Sequence, residues 1–188
     1  TYYIFQLFDK KNIIIITLGF IGIYLFLNSL FDLTRLGGNI SQNLTHFGFS
    51  LLILSILFNS FFSKEFSSNM KIGDKIRFEN ELIKFDKIEY HKGPNFNSII
   101  ASFIIKGVDN ELTKFSPEIR IYNQPNIITS EADIKTTILN DKFFVINLLK
   151  DENYFNVRYQ VKSFMIWIWI SSLLMAFGGT LSLIRKIK

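Results

Sequence analysis

GNISQNLTHFGFSLLILSILFNSFF, running from Gly38 to Phe62, is a stretch of about 25 residues without Asp, Glu, Lys or Arg. At about 1.5 Å of rise per residue, a helix of that length crosses a hydrocarbon layer about 30 Å thick. One ionisable side chain, His46, lies inside it. Such a group is costly in hydrocarbon, and its presence there marks a functional site by default. The chain therefore reads as a membrane protein with a histidine in its membrane part.

Two other segments read the same way. Asn12 to Phe31 is free of charge, and so is Ser163 to Ile184, which opens near one interface with Trp167 and Trp169. These give transmembrane helices over residues 12–32, 38–62 and 163–184, with a stub over 1–11 and a basic tail over 185–188. The first span is too long for a secretory signal, and no small-residue cleavage site follows it. Because the sequence opens on Thr1, the expectation is a fragment or one part of a split protein.

Residues 64–162 form the only stretch with the composition of a water-exposed domain. Their charges nearly cancel, so most of the formal +5 lies at the membrane ends, and no concentrated basic face supports a nucleic-acid role. Asn153 to Val161 alternates strictly, with Phe155, Val157, Tyr159 and Val161 on one face; Ile72 to Phe78 and Glu118 to Tyr122 alternate more briefly. Ser98 to Ile105 and Phe143 to Leu148 are denser apolar runs suited to strands covered on both faces. Turn punctuation falls at Gly93-Pro94, Gly107 to Asn110 and Gln124-Pro125. One short helix is expected over Ser130 to Leu139, capped by Ser130 with Asp133 as capping-box partner. The fold class that follows is three transmembrane α-helices with a small antiparallel β-rich domain inserted between helices 2 and 3.

Arg185, Lys186 and Lys188 place the C-terminus on the cytoplasmic or matrix side by the positive-inside rule. The β domain then projects to the opposite side, the Asp32 to Gly37 hairpin with Arg35 faces inward, and His46 lies toward the inner half of span two. Lys10 and Lys11 point the other way.

His46 has three readings on the residues alone. It could be hydrogen-bonded across a helix interface to Ser, Thr or Asn, serve in a proton relay, or ligate a metal centre, haem above all. A relay needs further ionisable groups at similar depth, and the apolar runs offer none. A ligand needs its other ring nitrogen oriented by a partner, and Gln42, Asn43 and Ser50 are within helical reach. The other histidine, His91, falls in a turn of the β domain, so a second axial ligand would come from polypeptide outside this sequence. With no cysteine, zinc and thiol chemistry lack their usual ligand sets.

Several ordered motifs resemble the C-terminal part of CcmF, the haem-lyase subunit of the cytochrome c maturation system: Asn43-Leu-Thr-His46-Phe-Gly48, Gly93-Pro-Asn-Phe96, Ser116-Pro-Glu-Ile-Arg-Ile-Tyr122, Thr129-Ser-Glu-Ala132, Trp167-Ile-Trp169 and Met175-Ala-Phe-Gly-Gly179. The family usually has Leu where Phe47 stands and Pro where Ser163 stands. Its tryptophan-rich segment and other histidines belong to an N-terminal part that this sequence does not include.

The resemblance implies a part of a holocytochrome c synthase complex, not active alone, in a bacterial inner membrane with its β domain in the periplasm, or alternatively in the mitochondrial inner membrane. It implies a b-type haem held within the membrane by two histidines, of which His46 matches one. It further implies the N-terminal part of CcmF, the haem chaperone CcmE, CcmH- and CcmI-type subunits and apocytochrome c as partners. Arg120 and Arg158 are candidates for haem-propionate or partner contacts. A second reading keeps the chain as a non-catalytic assembly module whose β domain docks partners while His46 only packs; pigment lost on changing His46 separates the two.

Overall fold

In the computed structural model the described residues are 10–34, 39–107, 111–149 and 154–187. They form two compact units. One comprises the helices together with Ile138–Asn140 and Ser163; the other comprises residues 64–137 and 141–162.

The helical unit has three α-helices: α1 (Lys10–Thr34), α2 (Ile40–Phe62) and α3 (Met165–Ile187). Each contains a stretch long and apolar enough to cross a membrane: Ile13–Thr34, Ile40–Phe62 and Met165–Lys186. The link at 35–38, which carries Arg35, lies outside the described residues, as do the side chains of Lys10 and Lys11. Lipid gives helices no hydrophobic reason to associate, so close approach depends on small residues and polar seams. α2 has both, one set for each neighbour. Toward α3, a Cβ placed on Gly48 would lie 3.0 Å from Ser171 O and 2.9 Å from Met175 Cγ, and one on Gly178 would lie 2.9 Å from Ser41 O. Ser41 Oγ donates to Gly178 O at 2.7 Å, and Asn59 Nδ2 to Ser163 O at 2.6 Å. Toward α1, Ser29 Oγ and Ser50 Oγ meet at 3.2 Å, and the Phe26 and Phe47 rings lie 5.3 Å apart. Asn39 at the N-cap of α2 turns its side chain away from its own helix, and its Oδ1 accepts from Arg185 in the last turn of α3 at 2.9 Å.

The second unit is built from two antiparallel sheets. Strands β1 (Lys64–Met70), β8 (Asp133–Thr136), β9 (Asn140–Leu148) and β10 (Phe155–Ser163) pair in the order β1-β10-β9-β8. Strands β2 (Lys75–Phe78), β3 (Glu81–Lys92), β4 (Phe96–Lys106), β6 (Glu118–Tyr122) and β7 (Ile128–Glu131) follow the order β2-β3-β4-β6-β7, with β5 (Leu112–Phe115) beside β4. The period-2 alternation of side chains sends Phe155, Val157 and Tyr159 of β10 inward, where they meet Phe85, Phe103 and Phe115 of the larger sheet. The Phe103 and Phe144 rings lie 4.4 Å apart, and Phe144 to Tyr159 is 5.4 Å. Glu81 ties the sheets at the core's edge, accepting from Tyr159 Oη at 2.8 Å and from Lys142 Nζ at 2.6 Å.

The helix expected over Ser130 to Leu139 is not formed. Ile128–Glu131 and Asp133–Thr136 are strands, and the Asp133 carboxylate accepts from the Ser116 backbone N–H at 2.7 Å instead of closing a capping box. His91 is likewise not in a turn: it stands in β3, paired with Ser98 of β4.

Candidate functional site

His46 sits in the second turn of α2 and is directed away from α3, because Ser41, Thr45 and Gly48 occupy the face that meets that helix. Its imidazole is exposed within the helical unit and lines a cleft of about 290 Å³ with Leu25, Asn28, Ser29 and Asp32 of α1 and Phe49 of α2. The lining mixes the apolar side chains of Leu25 and Phe49 with an amide, a hydroxyl and a carboxyl.

Two of the expected orienting partners are committed elsewhere. Asn43 Nδ2 donates to Asp32 O at 3.0 Å, and Ser50 Oγ donates to Phe47 O at 2.9 Å while meeting Ser29. The polar groups sharing the cleft come from the neighbouring helix: Asn28, whose Nδ2 donates to Tyr24 O at 2.9 Å, and Asp32. By its sequence Asp32 closes the first span and opens the inward hairpin, with no part in the site. The helix runs on to Thr34, and an antiparallel return then sets its final turns beside the opening turns of α2. That geometry was available from the short connection between the two apolar runs.

At about 290 Å³ the cleft lies at the lower end of the about 300–1,000 Å³ usual for small-ligand pockets. Among the described residues no group of three His, Cys, Asp or Glu side chains is placed to hold a metal ion. The cleft offers one imidazole, a donor of the kind that haem iron accepts.

The two arginines lie apart, on the outer faces of opposite sheets. Arg120 in β6 pairs with Glu118 and lies 4.9 Å over the Phe96 ring; its hydrogen bond to Tyr122, then that to Glu118, holds its pKa above the usual value. The expected Glu118–Arg120 pair on one strand face is thus present. Arg158 in β10 donates to Glu65 at 2.6 Å, and Gln160 donates to the other carboxylate oxygen at 2.7 Å. The Arg158 hydrogen bond is the main reason the Glu65 pKa falls below its ordinary range. Both guanidiniums are engaged by carboxylates of their own sheets.

The family model described as the CcmF C-terminal beta-sandwich matches residues 61–163. The chain belongs to that family. The cytochrome c-type biogenesis protein CcmF of Pseudomonas aeruginosa is 28% identical over 145 residues, covering 77% of this chain and 22% of the relative. The cytochrome c-type biogenesis protein ccl1 of Rhodobacter capsulatus is 36% identical over 113 residues, 60% of this chain and 17% of that protein. A solved structure titled cytochrome c heme lyase CcmF superposes with a TM-score of 0.63 at 16% identity, over 82% of this chain and 27% of that one, which is a likeness of fold. The chain thus spans roughly a fifth of the length of the relatives it matches, and its three helices and inserted sandwich make it the C-terminal membrane part of a CcmF-type protein.

Proposed function

We propose that this chain is the C-terminal part of a cytochrome c haem lyase in which His46 is one axial ligand of a b-type haem held within the membrane. The observation that carries the reading is the position of the imidazole: exposed, and lining a cleft between α1 and α2 in which polar groups and apolar side chains meet. Leu25 and Phe49 supply the apolar surface that a macrocycle's face requires. Asp32 and Asn28 supply polar groups able to orient the imidazole and to set the charge around it. The second ligand and the missing walls come from polypeptide outside this sequence. When bound, haem supplies one-electron redox chemistry, which keeps the iron of the transferred haem reduced during attachment.

The Arg185 and Lys186 end of α3 faces the cytoplasm or matrix, and the sandwich faces the periplasm or its mitochondrial equivalent. There it serves docking of apocytochrome c and of the CcmE, CcmH and CcmI components. Purifying the complex assembled with its N-terminal part as wild type and as His46→Ala tests the reading. The expected result is loss of the low-spin b-type absorption from a complex that still assembles. Unchanged absorption refutes it, and partner capture without pigment in the wild type favours a docking module.

A further inference from the structure

The turn between β8 and β9 does not group with the sandwich that its strands belong to; Ile138–Asn140 packs with the helices. Its two aliphatic side chains are turned outward, Ile138 at 69% and Leu139 at 55% exposure. An apolar pair at a turn tip is ordinarily a liability in water. Here both of its backbone carbonyls are engaged by residues at the start of α3. The Trp167 indole N–H donates to Ile138 O at 2.9 Å, and the Phe164 backbone N–H donates to Leu139 O at 2.7 Å. Ser163 Oγ closes on the Asn140 side chain at 2.8 Å. Phe164 adopts a left-handed backbone, φ 61°, a conformation costly for a side chain with a Cβ, and its N–H is directed at the turn from there. Its ring packs among Phe58 and Phe62, with centroids 5.2 and 6.3 Å away.

These residues stand at the ends of two membrane-crossing stretches, since Phe62 closes one and Met165 opens the other. Carbonyls that enter lipid must already be hydrogen-bonded, and the two at the tip are. Trp is the residue that stations itself at the boundary between headgroups and acyl chains.

We infer that Ile138 and Leu139 form a lipid-inserting wedge, seated at the bilayer boundary at the depth of Trp167. The occupant of this patch is acyl chain, continuous with the lipid around the helices. The inference is independent of haem ligation, because it uses the opposite end of α2 from His46.

The chain has no cysteine, so single cysteines at Ile138 and Leu139 are the only labelling sites it contributes, and the unsubstituted assembly gives the background. Each is introduced into the protein assembled with its N-terminal part, spin-labelled, and placed in phosphatidylcholine–phosphatidylglycerol nanodiscs. Collision with oxygen, which concentrates among acyl chains, is compared with collision with a water-soluble nickel chelate. Leu173→Cys in α3 is the lipid reference, and Tyr90→Cys, at a position 81% exposed in β3, is the aqueous one. The expected result is an oxygen-to-chelate ratio at both tip positions on the Leu173 side, reversed from Tyr90. A ratio matching Tyr90 overturns the inference. So does protection from both colliders, which would mean that protein covers the tip. Should one variant fail to assemble, the other reads the same depth.

Discussion

Asp32 of α1 and His46 of α2 line one cleft, although 14 positions separate them in the chain. The Asn43 side chain, donating to the Asp32 carbonyl, fixes that register. A carboxyl near a metal-bound imidazole stabilises the more oxidised metal through its charge. On the proposed ligation by His46, Asp32→Asn is therefore expected to retain the pigment and raise its midpoint potential, on the order of tens of millivolts, in a potentiometric titration of the assembled protein. An unmoved potential would show that the Asp32 charge does not reach the iron.

Gly178 and Gly179 are neighbours with opposite expectations. A Cβ on Gly178 meets the Ser41 carbonyl and the Thr45 backbone N, both at 2.9 Å, whereas nothing lies within 4 Å of one on Gly179. Gly178→Ala should destabilise the helical unit by about 1–3 kcal/mol through overpacking. Gly179→Ala should be neutral or stabilising by up to about 1 kcal/mol from helix propensity. Unfolding of the full chain in mixed micelles compares the two.

Phe144 is fully buried between Phe103, Phe115 and Tyr159. Phe144→Ala should cost about 3–5 kcal/mol, read as lost thermal stability of the sandwich by near-ultraviolet circular dichroism.

Burial, helped by the hydrogen bond to Glu81, holds the Tyr159 phenol well above its ordinary value of 10.0. A raised folded-state value means that this contribution is whole below about pH 10 and is lost as pH rises from there toward the folded value. The sandwich should therefore weaken in alkali, and Tyr159→Phe should flatten that limb while forfeiting the Glu81 bond at neutral pH. Denaturation midpoints measured across the alkaline range decide it.

Glu65 gives the acid counterpart. Arg158 lowers its folded pKa from 4.5, so its contribution is present above that value and fades as pH falls through the lower folded one. Glu65→Gln should remove one component of the acid-denaturation limb and reduce its salt sensitivity, since the pair is solvent-exposed.

The three helices were legible because lipid demands long charge-free runs, and β10 was legible because its alternation is unbroken. β3 was not. Ile83 and Phe85 point into the core, but the register slips between Phe85 and Lys87, so the apolar phase restarts at Ile88 and no single period-2 pattern spans the strand. The stretch read as a helix over Ser130 to Leu139 is rich in β-branched residues, Ile134, Thr136, Thr137 and Ile138 among them, a strand signal that the apparent capping box outweighed. At the candidate site the histidine was visible from its isolation in an apolar run. Its surroundings were not, because Asn28 and Asp32 reach the cleft from another helix, and spacing along α2 says nothing of what a neighbour contributes.

Among the described residues, α1 and α3 each pack extensively on α2. The middle helix thus belongs to both of these interfaces, so a defect in α2 would loosen two joints at once.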